Sequence, residues 1–225
     1  MASATRPRAA DTRLDLVDVS WAGFKRMLKV RGDRSSPRIW YLDGSLTLVS
    51  PSLPHELHSR RLGRFVSEVV TELAIPCLAV GATTLSRADL KVAVEGDEVF
   101  YLANAERIRG KTELDLNVDP PPDLAIEVVI THGAKKAMTI YRRLGVPELW
   151  VCTPKRLRFY RLGADGTYAE TPRSLAFPFL SAEEVFSWVS QPHASLESEW
   201  TLRLRAWVRD ELAPRARAGG RPDGD

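Results

Sequence analysis

The sequence predicts a mixed α/β fold in which helices pack on a central sheet. Short apolar runs, bounded by proline, glycine or charged residues, alternate with longer segments whose apolar residues recur every three or four positions. The short runs are typical of strands and the longer segments of amphipathic helices. A chain of 225 residues, 44% of them hydrophobic, can bury the core of one such domain without a disulfide or a structural metal.

The first third of the chain predicts a helix, a β-hairpin and a long helix, in that order. Ser20 is a suitable N-cap for a helix with an apolar face. Residues 38–49 contain the pair Asp43 and Gly44, which is typical of the tight turn of a hairpin. Residues 55–73 place their apolar side chains on one stripe and predict a long amphipathic helix.

The rest of the chain predicts further strands and helices. The strands are expected at residues 77–80, 90–94, 99–102, 123–130, 148–152 and 156–162. The helices are expected at residues 134–144, 182–189 and 196–212. Gly145, with Pro147 just beyond it, is typical of a helix C-terminus. His132 is expected in a loop or at the start of the helix that follows it.

The two ends of the chain differ in composition from the middle. Residues 1–12 and 213–225 are polar, so we predict disordered tails there, the second of them basic. Residues 13–190 form the predicted domain, and residues 191–212 an additional C-terminal helix. The net charge is only +3, from 32 basic and 29 acidic residues. Either solubility or contact with nucleic acid explains the basic tails.

Cysteine use and hydropathy predict a cytoplasmic protein without a membrane partner. Cys77 and Cys152 lie in apolar contexts that are typical of buried free thiols in a reducing compartment. The N-terminal residues contain no apolar run long enough for a signal peptide. The chain also contains no apolar stretch long enough to span a membrane.

Two acidic residues stand where the strand pattern favours apolar side chains. Glu127 lies within an apolar run, and Asp97 lies just before another. Burying a carboxylate is costly unless a cation or several hydrogen-bond donors meet it. If the two strands are neighbours, the carboxylates converge and form a site for Mg²⁺ or Mn²⁺, which prefer oxygen ligands. The alternative is structural: Asp97 forms a turn, and Glu127 pairs with an arginine on an edge strand.

Four stretches of the chain resemble one known family. They are YLDGSLTLVSPSLPHELHS, TTLSRADLKVAVEGDEVFYLANAERIRG, DPPPDLAIEVVIT and IYRRLGVPELWV, all within residues 15–190. In this order and spacing they resemble the Uma-type restriction endonucleases, a branch of the PD-(D/E)XK nuclease superfamily. The resemblance implies a restriction-endonuclease-like core, a mixed central sheet flanked by helices, with an N-terminal hairpin and C-terminal helices. It also implies metal-dependent hydrolysis of phosphodiester bonds in DNA.

The resemblance also implies the metal ligands, residue by residue. Asp97 and Glu127 match the two acids that hold the metal, and the carbonyl of Val128 is the expected third ligand. Glu56, at the start of the long helix, matches an acid that the superfamily often supplies there. A solvent-exposed glutamate that stabilises the helix N-terminus is the alternative for Glu56. The expected cofactor is Mg²⁺ or Mn²⁺. Gly96 replaces the proline that precedes the first acid in the family.

The position of the catalytic lysine departs from the superfamily pattern. Val129 stands at the in-strand position, two residues after the second acid. The family places the basic residue on the following helix, where this chain has Ala137, with Lys135 and Lys136 just before it. These two lysines are the candidates to orient the attacking water or to stabilise the charge on the phosphate. The sequence therefore predicts a Mg²⁺-dependent DNA endonuclease. The alternative is a catalytically weakened or inactive nuclease-fold DNA-binding protein.

Basic residues on the two helices beside the acids are the candidates for contacts with DNA. They are Arg60, Arg64, Lys135, Lys136 and Arg142. Runs of charge on helices are usually solvated. Two runs beside one metal site nevertheless suit a groove that follows a phosphate backbone.

A third interpretation is a protein-binding module, which would need an exposed apolar face near the C-terminus. The candidate side chains are Phe186, Trp188, Trp200 and Trp207. Such aromatic residues are also typical of a core or of a contact in a homodimer. The sequence leaves open whether a homodimer forms to cut both strands.

Overall fold

A computed structural model describes residues 10–130, 134–191 and 196–219, so that His132 lies outside the described residues. The strands, in chain order, are β1 (Thr12–Leu16), β2 (Arg38–Leu42), β3 (Ser45–Ser50), β4 (Leu78–Ala79), β5 (Thr84–Arg87), β6 (Val92–Glu95), β7 (Glu98–Tyr101), β8 (Leu124–Val128), β9 (Glu148–Thr153), β10 (Arg156–Leu162) and β11 (Tyr168–Thr171). The helices are α1 (Trp21–Arg31), α2 (Leu53–Glu72), α3 (Ala105–Ile108), α4 (Ala134–Leu144), α5 (Ala182–Val189), α6 (Glu197–Trp207) and α7 (Ala213–Gly219). A π-helical turn, Val208–Leu212, joins α6 to α7. None of these described helices is long and apolar enough to cross a membrane.

The strands form two sheets flanked by helices, where the sequence predicts one sheet. The five-stranded sheet has the order β1-β3-β2-β6-β5, and the six-stranded sheet has the order β11-β10-β9-β8-β7-β4. Neighbouring strands are antiparallel except β8 and β9, which are parallel and are joined through α4. The predicted mixed α/β class is confirmed. The prediction missed β1, β5 and β11 because these are edge strands with few buried side chains, and such strands carry little apolar pattern.

The local signals at the N-terminal helix and hairpin are confirmed. Ser20 is the N-cap of α1, and its Oγ accepts a hydrogen bond from the backbone N–H of Gly23 at 3.1 Å. β2 and β3 pair through a tight turn in which Asp43 and Gly44 have φ angles of 47° and 89°. Two positive φ angles are typical of the type I′ turn, whose twist matches that of the strands. The turn therefore sets the register of β2, which carries Arg38 at its first position.

The helices α2 and α4 pack on opposite faces of the six-stranded sheet. Side chains along a strand alternate between the two faces. In β8, Leu124, Ile126 and Val128 belong to the core cluster under α2, whereas Ala125 belongs to the cluster under α4. Glu127 shares the face of Ala125 and is only 1% exposed. Its carboxylate therefore lies in the core layer that α4 covers.

The chain passes from one sheet to the other between β6 and β7. Only Gly96 and Asp97 separate these strands, of which β6 belongs to the five-stranded sheet and β7 to the six-stranded sheet. β7 pairs antiparallel with β8, with Glu98 opposite Ile126. The same register places Asp97 opposite Glu127. The two acids are therefore neighbours at the junction of the sheets, as a shared metal site requires.

The C-terminal helices belong to the domain core and are not an addition to it. Their fully buried side chains lie in the cluster that contains the apolar face of α2; they are Trp200, Leu204, Val208 and Leu212. Phe186, Trp188 and Trp207 pack against the same cluster. Of the alternatives given for these aromatic residues, the core is confirmed, because their side chains pack against the cluster that joins the C-terminal helices to α2.

Both predicted tails contain ordered structure. Residues 213–219 form α7, so the predicted disordered tail over 213–225 is wrong for these residues, while residues 220–225 lie outside the described part of the chain. The helix is held by ion pairs of Arg215 with Glu184 and Glu211, a type of contact that leaves no apolar pattern in the sequence. At the other end, Thr12 already belongs to β1, so the predicted tail over 1–12 extends into a strand.

We expect Trp200→Ala to destabilise the protein by about 3–5 kcal/mol, because it removes a fully buried side chain and leaves a cavity between α2 and α6. Leu202→Ala is the matched control on the same helix. Leu202 is 66% exposed, and its truncation should change the free energy of unfolding by less than about 0.5 kcal/mol. Urea unfolding followed by circular dichroism measures both variants. Equal losses would show that α6 is not part of the core.

Candidate active site

Asp97 is held at the sheet junction by contacts from three directions. It is only 5% exposed. The backbone N–H of Val128 donates a hydrogen bond to its Oδ2 at 2.5 Å. Its Oδ1 forms an ion pair with Arg38 and lies 2.8 Å from the Nε2 of His55. These contacts hold the carboxylate beside Glu127 on the neighbouring strand.

Glu127 is buried without an ion-pair partner among the described residues. The Tyr141 hydroxyl donates a hydrogen bond to its Oε1 at 2.6 Å. Burial raises the pKa of Glu127 to about 7, although the hydrogen bond from Tyr141 and the positive charge of Arg38 act in the opposite direction. The structural alternative, an arginine pair on an edge strand, was wrong, because β8 lies inside its sheet between β7 and β9. A further cation beside Glu127 would stabilise its charged form.

Arg38 lies among the acids of the site. It is 7% exposed, and its guanidinium forms an ion pair with Asp97. The same group donates a hydrogen bond to Oε1 of Glu56 at 3.0 Å, and one of its nitrogens lies 3.1 Å from the Nε2 of His55. The permanent positive charge of Arg38 therefore compensates Asp97 at the sheet junction and Glu56 on α2. It also acts at longer range on Glu127, whose pKa it lowers.

His55 links the N-terminal segment to this cluster. It lies in the first turn of α2, is 4% exposed, and has its Nδ1 2.9 Å from a carboxylate oxygen of Asp11. A neutral ring that donates from Nδ1 to Asp11 can accept from Arg38 at Nε2, but it then has no proton to donate to Oδ1 of Asp97, which lies 2.8 Å from the same nitrogen. Burial lowers the pKa of His55 and favours this neutral form, although Asp11 acts in the opposite direction.

A cleft of about 370 Å³ gives access to Asp97. Its polar lining residues are Ser35, Ser36, Arg38, Glu56, Ser59, Arg60, Asp97 and Glu98. Arg60 is exposed and forms no hydrogen bond or ion pair with another described residue. The structure therefore brings together three of the residues expected from the sequence, namely Asp97, Glu56 and Arg60, in one cleft.

The lysines of α4 are placed away from the acids. The Nζ of Lys136 donates hydrogen bonds to the backbone oxygen and the hydroxyl of Ser45, at 3.1 and 2.9 Å, and to the hydroxyl of Thr47, at 2.7 Å. These three bonds use all the N–H donors of the ammonium group. Ala137 is buried in the core under α4, and Lys135 is exposed. In this arrangement α4 directs no ammonium group to Glu127.

The other basic residues expected to contact DNA are dispersed. Arg64 pairs with Glu68, one turn further along α2, at 3.2 Å. Arg142 donates a hydrogen bond to the carbonyl of Gly166, between β10 and β11, at 3.3 Å. Because α2 and α4 lie on opposite faces of the six-stranded sheet, no described residue of α4 joins Arg60 in lining the cleft. The expectation that both basic helices flank one groove that binds DNA stays a prediction.

The match to a family model decides the family of this chain. The model, described as "Uma2: Putative restriction endonuclease", matches residues 21–197, which is most of the chain. The chain belongs to the Uma2 family. A solved structure described as a "putative nuclease belonging to DUF820" from Anabaena variabilis ATCC 29413 is similar to it, with a TM-score of 0.52 and 18% sequence identity. This match covers 72% of the present chain and 96% of the other and confirms the restriction-endonuclease-like fold. No curated protein matches the chain.

Gly96 departs from the Uma2 pattern for a reason that the structure makes plain. A Cβ at this position would lie 2.2 Å from the hydroxyl oxygen of Tyr141 and 3.3 Å from Oε1 of Glu127. The first distance is far shorter than a van der Waals contact. Because glycine has no side chain, it leaves room for the hydrogen bond by which Tyr141 holds Glu127. The sequence indicated only that glycine replaces a proline at this position.

The donor set of this Uma2 protein fits a hard divalent cation. Within the described residues, no group of three or more His, Cys, Asp or Glu side chains is arranged to hold a metal ion. Asp97 and Glu127 nevertheless supply two neighbouring carboxylates, the second of them without an ion-pair partner. Mg²⁺ is often bound by one or two carboxylates and keeps several waters. The two acids meet that requirement, while Arg38 contacts one of them.

Sequence reasoning missed Arg38 and His55 as members of this Uma2 site. Arg38 begins the apolar stretch RIWYL, and a charged residue at the start of a buried strand is a signal that a partner exists. The sequence does not indicate which partner, because residues 38, 55 and 97 come together only through the pairing of β2 with β6 and the packing of α2.

We expect Gly96→Ala to destabilise the protein by about 1–3 kcal/mol, because the added methyl group displaces the hydroxyl of Tyr141. Tyr141→Phe removes the atom with which this methyl group collides. The double variant should therefore be less destabilised than the sum of the two single variants. Urea unfolding of the four proteins gives this coupling energy. Strictly additive losses would contradict the proposed role of Gly96.

Proposed function

We propose that this protein is a Mg²⁺- or Mn²⁺-dependent endonuclease that hydrolyses phosphodiester bonds in DNA. The proposal rests on the burial and the surroundings of Glu127. This acid is 1% exposed, has no ion-pair partner among the described residues, and stands opposite Asp97, which lines a cleft. Two adjacent buried carboxylates of this kind are stabilised by a hard divalent cation.

The comparisons support a nuclease. The Uma2 family model is described as "Putative restriction endonuclease", and the similar protein from Anabaena variabilis is described as a "putative nuclease". These descriptions concern other proteins. They agree with the chemistry of the acids at the sheet junction, and the nuclease class is therefore the one that we propose here.

Asp97 and Glu127 would hold the metal, with the carbonyl of Val128 as a third ligand and Glu56 assisting from α2. When bound, the ion lowers the pKa of a water and neutralises charge on the phosphate. The N–H of Val128 holds Asp97 in place, and the hydroxyl of Tyr141 does the same for Glu127. Because both acids are already oriented by hydrogen bonds, their own side chains would need little reorientation to hold an ion.

Lys135 and Lys136 are the candidates on α4 for a catalytic positive charge. For Lys136 to act, its Nζ has to release Ser45 and Thr47 on β3. Burial lowers the pKa of Lys136, and the nearby Asp15 acts in the opposite direction. Lys135 is exposed and therefore has freedom to reorient.

DNA is the proposed substrate because the cleft combines acids with an exposed basic side chain. Arg60 stands beside the acids and can contact a backbone phosphate. Arg64, Lys135, Lys136 and Arg142 lie outside this cleft and would contact more distant phosphates. Contacts of this kind weaken as the salt concentration rises. A homodimer would present two such clefts to the two strands of a duplex.

The second candidate function is a nuclease-fold protein that binds DNA without cutting it. The arrangement of α4 favours it, because Ala137 is buried and Lys136 is bound to β3. A site that holds a metal but lacks a positive charge beside the phosphate loses stabilisation of the transition state. Both candidate functions therefore predict that the protein binds metal and DNA, and only the first predicts that it cuts DNA.

Titration calorimetry with Mg²⁺ and Mn²⁺ tests the metal site. We expect the wild type to bind these ions and Asp97→Asn and Glu127→Gln to weaken binding by at least about tenfold, because each variant loses one charged ligand. The same variants should lose at least about 100-fold in the rate of DNA cleavage. Glu148→Gln is the matched control, because Glu148 is equally buried on β9 but accepts hydrogen bonds from Trp150 and Ala176.

Circular dichroism establishes that each variant is folded before it is compared. Binding of metal and DNA by the wild type without cleavage would favour the second candidate function. A wild type that binds neither ion, without DNA and then with it, would contradict the metal site and the endonuclease together.

A further inference from the structure

Arg38 is a buried cation of the site to which the proposed function assigns no role. Its side chain is 9% exposed and contacts Asp97 and Glu56, which are both proposed to serve the metal. Lys136, by contrast, directs all its donors to β3. Within the described residues, the positive charge in contact with the acids thus comes from β2 and not from α4.

Arg38 competes with a metal ion for the same carboxylate. Its guanidinium pairs with Oδ1 of Asp97, the first of the proposed metal ligands. Two cations on one buried carboxylate repel each other strongly, because little water is present to screen them. Glu56, the second partner of Arg38, has a side chain that is 39% exposed. A bound ion therefore favours movement of the guanidinium away from Asp97 on the side where Glu56 meets the solvent.

The cleft has room for such a movement. Beside Arg38 and Glu56 it is lined by small residues, and its volume is about 370 Å³. These small residues are Ser35, Ser36, Gly81 and Ala82. A guanidinium in this space would present a planar pair of donors that matches two oxygens of a phosphate, and it stays charged at any physiological pH.

We propose that Arg38, and not a lysine of α4, supplies the positive charge of the site. In the structure its guanidinium pairs with Oδ1 of Asp97. With a divalent cation on the acids, it turns into the cleft and binds two oxygens of a DNA phosphate. This inference rests on the proposed endonuclease function and names the residue that supplies its positive charge.

Arg38→Gln separates the two roles because they change in opposite directions. Without the guanidinium nothing competes with the ion, so the calorimetric affinity for Mn²⁺ and Mg²⁺ should rise by about tenfold. Cleavage at saturating ion should fall by at least about 100-fold, because the phosphate loses its positive partner. Arg38→Lys keeps the charge but loses the paired donors. Its ion affinity should stay within about twofold of the wild type, and its cleavage should fall by about tenfold.

Arg31→Gln is the matched control. Arg31 forms an ion pair with Glu95, which is as buried as the acids of the site, and Arg31 does not line the cleft beside Asp97. We expect its ion affinity and its cleavage rate at saturating ion to equal those of the wild type. A general effect of losing a buried ion pair would change this variant in the same way as Arg38→Gln.

An ion affinity that stays level or falls in Arg38→Gln would overturn the inference, and so would wild-type cleavage in either Arg38 variant. If Arg38→Gln does not fold, the rate of cleavage by Arg38→Lys at saturating ion concentration decides whether the inference about Arg38 holds. Failure of the endonuclease proposal is distinguishable, because the wild type itself then does not cleave, and this result overturns both proposals. If the wild type cleaves DNA and the Arg38 variants cleave it equally well, only the proposed role of Arg38 is overturned.

Discussion

The carboxylate of Asp97 is the contact on which the rest of the site depends. It lies where the chain crosses between the two sheets, and it accepts a hydrogen bond from the N–H of Val128 on β8. The ion pair with Arg38 ties it to β2, and the contact with His55 ties it to α2. One side chain thus joins both sheets and the long helix. Because buried polar groups need partners, the surrounding donors depend on this acid as much as it depends on them.

Asp97 has an ion-pair partner, whereas the neighbouring Glu127 has none among the described residues. This difference distinguishes Glu127 from the other buried acids. Glu148 and Glu95 are equally buried, but each accepts several hydrogen bonds, and Glu95 also pairs with Arg31. Glu127 has the hydroxyl of Tyr141 and only the distant charge of Arg38. A stable fold gains nothing from such an acid, because burial disfavours its charged form. A local loss of stability of this kind is expected at a functional site.

Two small residues adapt the site to this chain. Gly96 leaves space for the hydroxyl of Tyr141, so the tyrosine reaches Glu127 across the sheet junction. Ala137 is 1% exposed in the core cluster that also contains Tyr141, where an ammonium group would be costly to bury. Packing under α4 therefore favours a small residue at both positions. The positive charge stands instead at Arg38, on a strand of the other sheet.

The sequence by itself determined the fold class, most helices and strands, the hairpin turn at Asp43–Gly44 and the pair of acids, because periodicity and turn chemistry are local properties. It also carried the family resemblance, which named Asp97 and Glu127. Only the tertiary structure decided that the strands divide into two sheets, that α2 and α4 lie on opposite faces of one of them, and that Lys136 binds β3 while Arg38 meets Asp97. These outcomes depend on contacts between residues far apart in the chain, and no local pattern encodes which distant side chains will share one buried space.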